Sequence, residues 1–332
     1  MYFLGIDLGS SSVKLSIFDA NSQQSIAAVG EPKSEMVMEA LQPGWAEQDP
    51  NQWWENVKIA LQRLRSEHEI DLTKIKAIGV AYQMHGLVLT DKDLKPVRPS
   101  IIWCDSRAAA IGDKAFEEIG EEQCHDMILG SPGNFTASKL KWVKENEPEI
   151  YQKAAYMMLP GDYIAACFSE KPQISKGGLS EGMLWHFKEQ RLAKEILDHY
   201  GISEDLIPEV VSNFGDQAVI YSKVAKELGL SEDVKITYRA GDQPNNAMSL
   251  NVLSPGEIAT TAGTSAVIYS VSENHSFDRK NRINTFLHVN NKVDEIRNGV
   301  MVCINGSGIL YQWLRNILSS GREKIVDYDY LN

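Results

Sequence analysis

The stretch "GIDLGSSSVKLSIFDA", residues 5–20, limits what this chain can fold into more than any other. A glycine and three serines separate two short apolar runs, "YFLGI" and "VKLSIF". In the second run Val13, Leu15 and Ile17 alternate with Lys14, Ser16 and Phe18, the period of two expected of a strand with one buried face. A third strand, "QQSIAAVG", follows a turn at residues 19–21, so the pattern predicts an antiparallel meander. A dinucleotide fold would place a helix directly after the first glycine loop, and it loses this comparison.

Further along, Asp49–Pro50 is a helix start, with Trp53, Val57, Ala60, Leu61 and Leu64 sharing one face. "IKAIGVAY" (75–82) and "SIIW" (100–103) read as buried strands, and "SKLKWVKENEPE" as a helix stopped before Pro148. "SKGGLSEG" reads as loop, and "KEQRLAKEILDHYG" as a helix closed by Gly201. From residue 234 the opening layout returns: a strand "EIATTA", a tight "GTS" loop and a strand "AVIYSV". A strand pair, "NTFLHVN" and "VMVCIN", then continues the meander, and "GSGILYQWLRNIL" forms a helix. One unit met twice predicts two homologous domains facing each other, divided at 1–245 and 246–332.

A length of 332 residues accommodates two domains, and 43% hydrophobic with 23% charged residues is ordinary globular composition. A formal net charge of −12 argues against nucleic acid or an anionic membrane as the main partner, while leaving room for a local anion pocket. Cys104, Cys124, Cys167 and Cys303 form no C-x-x-C pair, so reduced, mostly buried thiols are expected rather than a zinc site or disulfides. No uncharged run reaches the ~18 residues of a membrane span. "MYFLGID" has no basic leader, which makes the cytoplasm the expected location.

Four segments carry chemistry. In "DLGSSSVK" the N–H groups of Gly9, Ser10 and Ser11 can converge on phosphate oxygens. Asp7, which alone would repel a phosphate, then makes sense as a partner of Mg2+. Gly263, Thr264 and Ser265 offer the same chemistry in the second unit, and two such loops suggest a polyphosphate held from both sides. A plain turn is the alternative at each.

In "RAGDQPNNA", Asp242 and Gln243 follow a strand, and Asp242 can accept a hydroxyl proton. Asp242 also suits a helix N-cap, and the two roles are compatible. Finally, "QMHG" and "IIWCDSR" end adjacent strands, where α/β folds build small-molecule sites. His85, Asp105 and Arg107 can hydrogen-bond a polyol, and Met84 and Trp103 offer apolar surface. A loop histidine and a surface Asp–Arg pair are the plainer readings.

Taken in order, "GIDLGSSSVK", "WAEQDPNQWW", "QMHG", "WCDSR", "KLKWVKENEPE", "LPGDYI", "AGDQPNNA" and "TAGTS" resemble the FGGY carbohydrate kinases, most closely their xylulokinase branch. The resemblance runs from residue 1 to about residue 318. It implies an α/β fold of two actin-like, RNase H-like domains around a central cleft. It also implies transfer of a phosphoryl group from ATP, with Mg2+, to an open-chain ketopentose such as D-xylulose.

By that resemblance Asp242 is the base and shares with Asp7 the placing of the metal. Ser10, Ser11, Lys14, Thr264 and Ser265 lie by the phosphates; Met84, His85 and Asp105 meet the sugar, with Arg107 behind Asp105. Three departures stand out. Cys104 replaces the usual asparagine, and "GGLSEGM" (177–183) keeps only Ser180–Glu181 of a family segment. The glycine-rich adenosine motif is absent, so the second domain is expected to be incomplete here. Uncovered strands in that domain leave room for a homodimer. Another sugar or polyol (ribulose, fuculose, gluconate, glycerol), or a sugar-binding piece without activity, stays open as an alternative.

Overall fold

The protein is described by a computed structural model covering residues 1–262, 266–304, 306–320 and 326–331. The meander is present: β1 (Tyr2–Leu8), β2 (Val13–Asp19) and β3 (Gln24–Glu31) pair antiparallel in sequence order. Val13, Leu15 and Ile17 are buried while Lys14, Ser16 and Phe18 face solvent, as the period of two requires. β1 then pairs parallel with β4 (Ile75–Tyr82), and β4 pairs parallel with β6 (Lys235–Gly241). β5 (Phe214–Val219) closes the far edge antiparallel, giving the order β5-β6-β4-β1-β2-β3.

Helix α1 (Pro50–Glu67) begins as expected, with Asp49 capping through an acceptor oxygen to the Asn51 N–H. Its stripe of Trp53, Val57, Ala60, Leu61 and Leu64 is fully buried, and the helix packs on β2 and β3. The helix α2 (Thr136–Asn146) ends before Pro148, which itself starts a second short helix, Pro148–Lys153. α3 (Pro160–Ser169) lies against β4 and β6.

Two readings of the middle segment change. "SKGGLSEG" contains a helix, α4 (Lys176–Glu181), capped by the Ser175 side chain on the Gly178 N–H. The helix before Gly201 covers only Lys194–Tyr200, because Arg191–Leu192 pairs with Trp185–His186 in a small hairpin. Gly201 does end it, at φ 63°. "SIIW" yields a two-residue strand, Ser100–Ile101, paired with Glu47–Gln48.

A second sheet follows α5 (Asp242–Ser249), the helix that begins at the end of β6. β7 (Ile258–Ala262), β8 (Ala266–Ser272), β9 (Asn284–Leu287) and β10 (Asn298–Ile304) take the order β7-β8-β10-β9. β10 therefore inserts between β8 and β9, so the second sheet does not repeat the meander in sequence order. α6 (Ser307–Ser319) comes next. Among the described residues no helix is long and apolar enough to cross a membrane. Cys124 is buried and Cys167 half-buried, but Cys104 and Cys303 are exposed, against the expectation of mostly buried thiols.

Candidate active site at the carboxyl ends of three strands

The parallel pairing of β1, β4 and β6 decides the site. Leu8 lies opposite Tyr82, and Tyr82 opposite Gly241, so the next residues, Gly9, Gln83 and Asp242, leave the sheet side by side. The Gln83 N–H donates to the Leu8 carbonyl at 2.8 Å, extending the ladder to the rim. Carboxyl ends of parallel strands are where such sheets open to ligands. The glycine–serine loop, the "QMHG" loop and the "AGD" carboxylate thus share one edge.

The Gly9–Ser12 loop is pinned through its carbonyls. Gly9 N–H donates to Ser12 O (3.1 Å), Met36 N–H to Ser11 O (2.8 Å), and Gln48 Nε2 to Ser10 O (2.6 Å). Gln48 Oε1 also accepts from Gln83 Nε2 (3.0 Å) and Trp53 Nε1 (3.2 Å), so one buried amide ties this loop to "QMHG" and to α1. Asp7 and Lys14 are directly opposed across β1 and β2 and form a partly exposed ion pair at 3.5 Å. Gly263, Thr264 and Ser265 lie outside the described residues.

Asp242 is the first residue of α5 and not its cap: Gly241 holds the N-cap position and no side chain makes a capping bond, so the N-cap reading of Asp242 fails while its place at the rim stands. Burial pushes its carboxyl up to about 6; a hydrogen bond from Gln243 Nε2 (3.1 Å) opposes this, and the charge of Asp7 adds to it. A divalent cation carried with a nucleotide takes one or two carboxylates and keeps its waters and phosphate oxygens. Asp7 and Asp242 fit that role, being hard oxygen donors near enough for one charge to act on the other. No group of three or more His, Cys, Asp or Glu gathers among the described residues, so the pair does not belong to an all-protein cage.

His85 adopts φ 60°, a left-handed conformation that a non-glycine residue holds only when its surroundings insist. Its N–H faces Glu181 Oε1 at 3.4 Å and its Nδ1–H donates to the Glu181 carbonyl at 3.1 Å. Burial, with the Lys139 charge adding, takes the ring down to about 3, so it is neutral near pH 7. With the proton on Nδ1, Nε2 is left as an acceptor. The ring lies edge-on to Phe135 at 4.8 Å and tilted to Phe286 of the second sheet at 5.2 Å.

Met84 is buried against Gly241, where an added Cβ would stand 2.5 Å from both Met84 Cγ and Glu181 Oε2. Only glycine allows that approach. Glu181 is itself buried; desolvation holds its carboxyl well above the usual range, the His85 N–H opposes this, and the Asp242 charge adds to it.

Trp103 is 46% exposed and Asp105 0% exposed, two residues apart. Asp105 accepts from the Ala46 N–H (2.6 Å), from the Arg107 N–H (2.9 Å) and from the Arg107 guanidinium (Nη2 at 2.7 Å). Arg107 also meets Glu47 at 2.6 Å and stacks over Trp45, 3.8 Å from the ring centroid. The plain reading of Asp105–Arg107 as a surface pair is therefore wrong, because the pair is interior. Trp45, Glu47, Gln48 and Lys139 were assigned no role from sequence. The first three lie in "WAEQDP", a segment that only its resemblance marked out.

This chain belongs to the FGGY family of carbohydrate kinases: the pattern of that family's N-terminal domain matches residues 2–249. A curated relative, a xylulose kinase of Staphylococcus epidermidis, is 31% identical over 287 residues, 86% of this chain and 56% of its own. The chain thus spans a little over half the length of that relative. A crystal structure described as a xyloylose kinase from Brucella ovis superposes with a TM-score of 0.87 at 25% identity, covering 96% of this chain and 64% of that one. A gluconate kinase from Lactobacillus acidophilus superposes with a TM-score of 0.86 at 23% identity, covering 97% and 63%. The fold is that of two actin-like, RNase H-like domains around a cleft, with the second only partly represented here.

Proposed function

We propose that the protein transfers the γ-phosphoryl group of ATP to a hydroxyl of an open-chain ketopentose, converting D-xylulose to D-xylulose 5-phosphate in the cytoplasm. The observation that carries this reading is that Gly9, Gln83 and Asp242 leave three neighbouring parallel strands at one level. The similarity to the xylulose kinase of S. epidermidis favours the substrate. In this reading the chain divides at residue 245 into a sugar-and-phosphate domain and the start of a nucleotide domain.

Asp242 receives the substrate hydroxyl proton as that oxygen bonds to the γ-phosphorus and the bond to the ADP oxygen breaks. A carboxyl near 6 is ionised at neutral pH and still basic enough to accept it. Gly9, Ser10, Ser11 and Lys14 would lie by the phosphates from one side, with Gly263, Thr264 and Ser265 from the other. A magnesium ion held between Asp7, Asp242 and the phosphates would neutralise developing charge. His85 Nε2, Gln243 and the exposed Trp103 face would orient the sugar, beside Met84. Asp105 and Arg107, whose groups already satisfy one another, hold the loop that carries Trp103.

The test is a panel of ribulose, xylulose, fuculose, gluconate and glycerol with coupled ADP detection. Highest kcat/KM on D-xylulose supports the assignment. Greater activity on ribulose overturns the substrate, and no ADP release with any member overturns the kinase reading.

A further inference from the structure

The helix α2 places a lysine where its neighbours are buried. Thr136, Leu140 and Val143 lie at three before, one after and four after Lys139, and all four residues are 0% exposed. An ammonium in such a place is expensive unless its hydrogens are used. Lys139 Nζ donates to the carbonyl of His85 at 2.8 Å and to that of Ile102 at 2.9 Å. These carbonyls belong to the two loops that end in the sugar-facing residues, one before Gly86 and the other before Trp103.

The start of the same helix repeats the gesture. Asn134 Nδ2 donates to the Asp105 carbonyl, and Thr136 Oγ1 donates to the Gly86 carbonyl at 3.3 Å. Three side chains within six residues therefore fasten four carbonyls of two loops, which the Leu87 N–H to Ile101 O bond (2.9 Å) also joins. Of these three side chains, Lys139 alone reaches both loops. It also caps the strained His85, whose left-handed backbone is then held from its N–H, its ring and its carbonyl.

We propose that Lys139 is a positioning residue of the sugar site: its ammonium staples the His85 and Ile102 carbonyls and so sets the spacing between His85 and Trp103. It touches no reacting atom. The inference rests on the proposed function, since it assumes that a sugar is held between those loops. The groups that face Lys139 are Asp105, Cys104, Arg107, Glu181 and His85. Desolvation brings the ammonium down to about 7, and Asp105 opposes that fall. The staple is therefore charge-assisted below neutrality and weaker above it.

The experiment compares the parent protein with Lys139→Met and Lys139→Arg, reading D-xylulose affinity by calorimetry and separate KM values for sugar and ATP from pH 6 to 9. Lys139→Met leaves two buried carbonyls without a donor, and the expected result is a sugar KM raised about tenfold or more with the ATP KM within about twofold. Lys139→Arg keeps the cation, so its sugar affinity should be partly restored and should lack the decline above neutral pH expected of the parent. If Lys139→Met does not fold, the flattened pH dependence of Lys139→Arg carries the test. Equal sugar affinity in parent and Lys139→Met, an equal rise in both KM values, or a pH dependence unchanged in Lys139→Arg overturns the inference while leaving the kinase reading intact. Failure of the parent to bind any sugar overturns both.

Discussion

Each sheet opens with an antiparallel strand pair, β1 with β2 and β7 with β8, yet they are finished differently. In the first, β1, β4 and β6 are flanked by further strands, with α1 and α3 packed against the sheet. Trp53, Leu4, Leu8, Leu15 and Ile17 are all but inaccessible. In the second, Ile258, Ile268 and Ile304 are exposed on the strands. Leu310, Trp313, Leu314 and Ile317 make a stripe on α6 at helical spacing, with Leu310 61% and Trp313 57% exposed. The parallel strand ends that define a site lie wholly in the first unit. The second contributes contacts to it, through Phe286 beside His85 and the Leu287 N–H that donates to Ser180 Oγ at 3.0 Å. The described candidate-site residues thus sit mostly where packing is complete.

The sharpest way to break this comparison is a matched pair of tryptophan substitutions followed by chemical denaturation. Trp53→Ala removes a fully enclosed ring and a hydrogen bond to Gln48, and should cost about 3–5 kcal/mol. Trp313→Ser should change stability by no more than about 0.5 kcal/mol. Similar losses at both positions would contradict the contrast.

Next is Arg239 on β6, which is 0% exposed and pairs with the equally enclosed Asp162 at 3.2 Å. It also donates to Gln173 O (3.2 Å) and Gln217 Oε1 (2.9 Å). Arg239→Met leaves a buried carboxyl unpaired and should cost about 3 kcal/mol. A loss under about 1 kcal/mol would show that the strand leading to Asp242 does not depend on this pair.

A smaller effect follows from Asp242. Its folded carboxyl sits near 6, above the ~3.9 of an unfolded chain, so the native state binds the extra proton between those values. Stability therefore falls as pH rises through that window, and above it the ionised group is a standing cost. Asp242→Asn should melt about 2–4 °C higher than the parent above pH ~6, the gap closing below pH ~4. An asparagine variant less stable at neutral pH would refute the sign. Smallest of all is Lys14→Ala, which loses an exposed pair with Asp7 and should alter stability by about 0–1 kcal/mol.

Much of the first unit was legible because its signals are local. The period of two in "VKLSIF" and the Asp49–Pro50 cap before α1 both became the elements they predicted. The segment 175–215 resisted because its short strands find partners far away: Gln173–Ser175 pairs with Glu209–Val211, and neither run is long enough to show a period. The order β7-β8-β10-β9 was hidden for the same reason, since a pairing between distant strands leaves no mark on either. Asp242 and His85 stood out as polar residues at strand ends. Glu181 stood out only through the family segment that it belongs to, and Lys139 did not, because a charged residue on a helix ordinarily faces water. Lysine amid a stripe of Thr136, Leu140 and Val143 was the available signal.

The most direct measurement is single-turnover phosphoryl transfer to D-xylulose by Asp242→Asn, with sugar affinity measured on the same protein. The account predicts sugar affinity close to the parent's and transfer slowed by about 10²–10⁴-fold. Transfer within about threefold of the parent, with the sugar still bound, would contradict the assignment of Asp242 as the base at the shared strand edge.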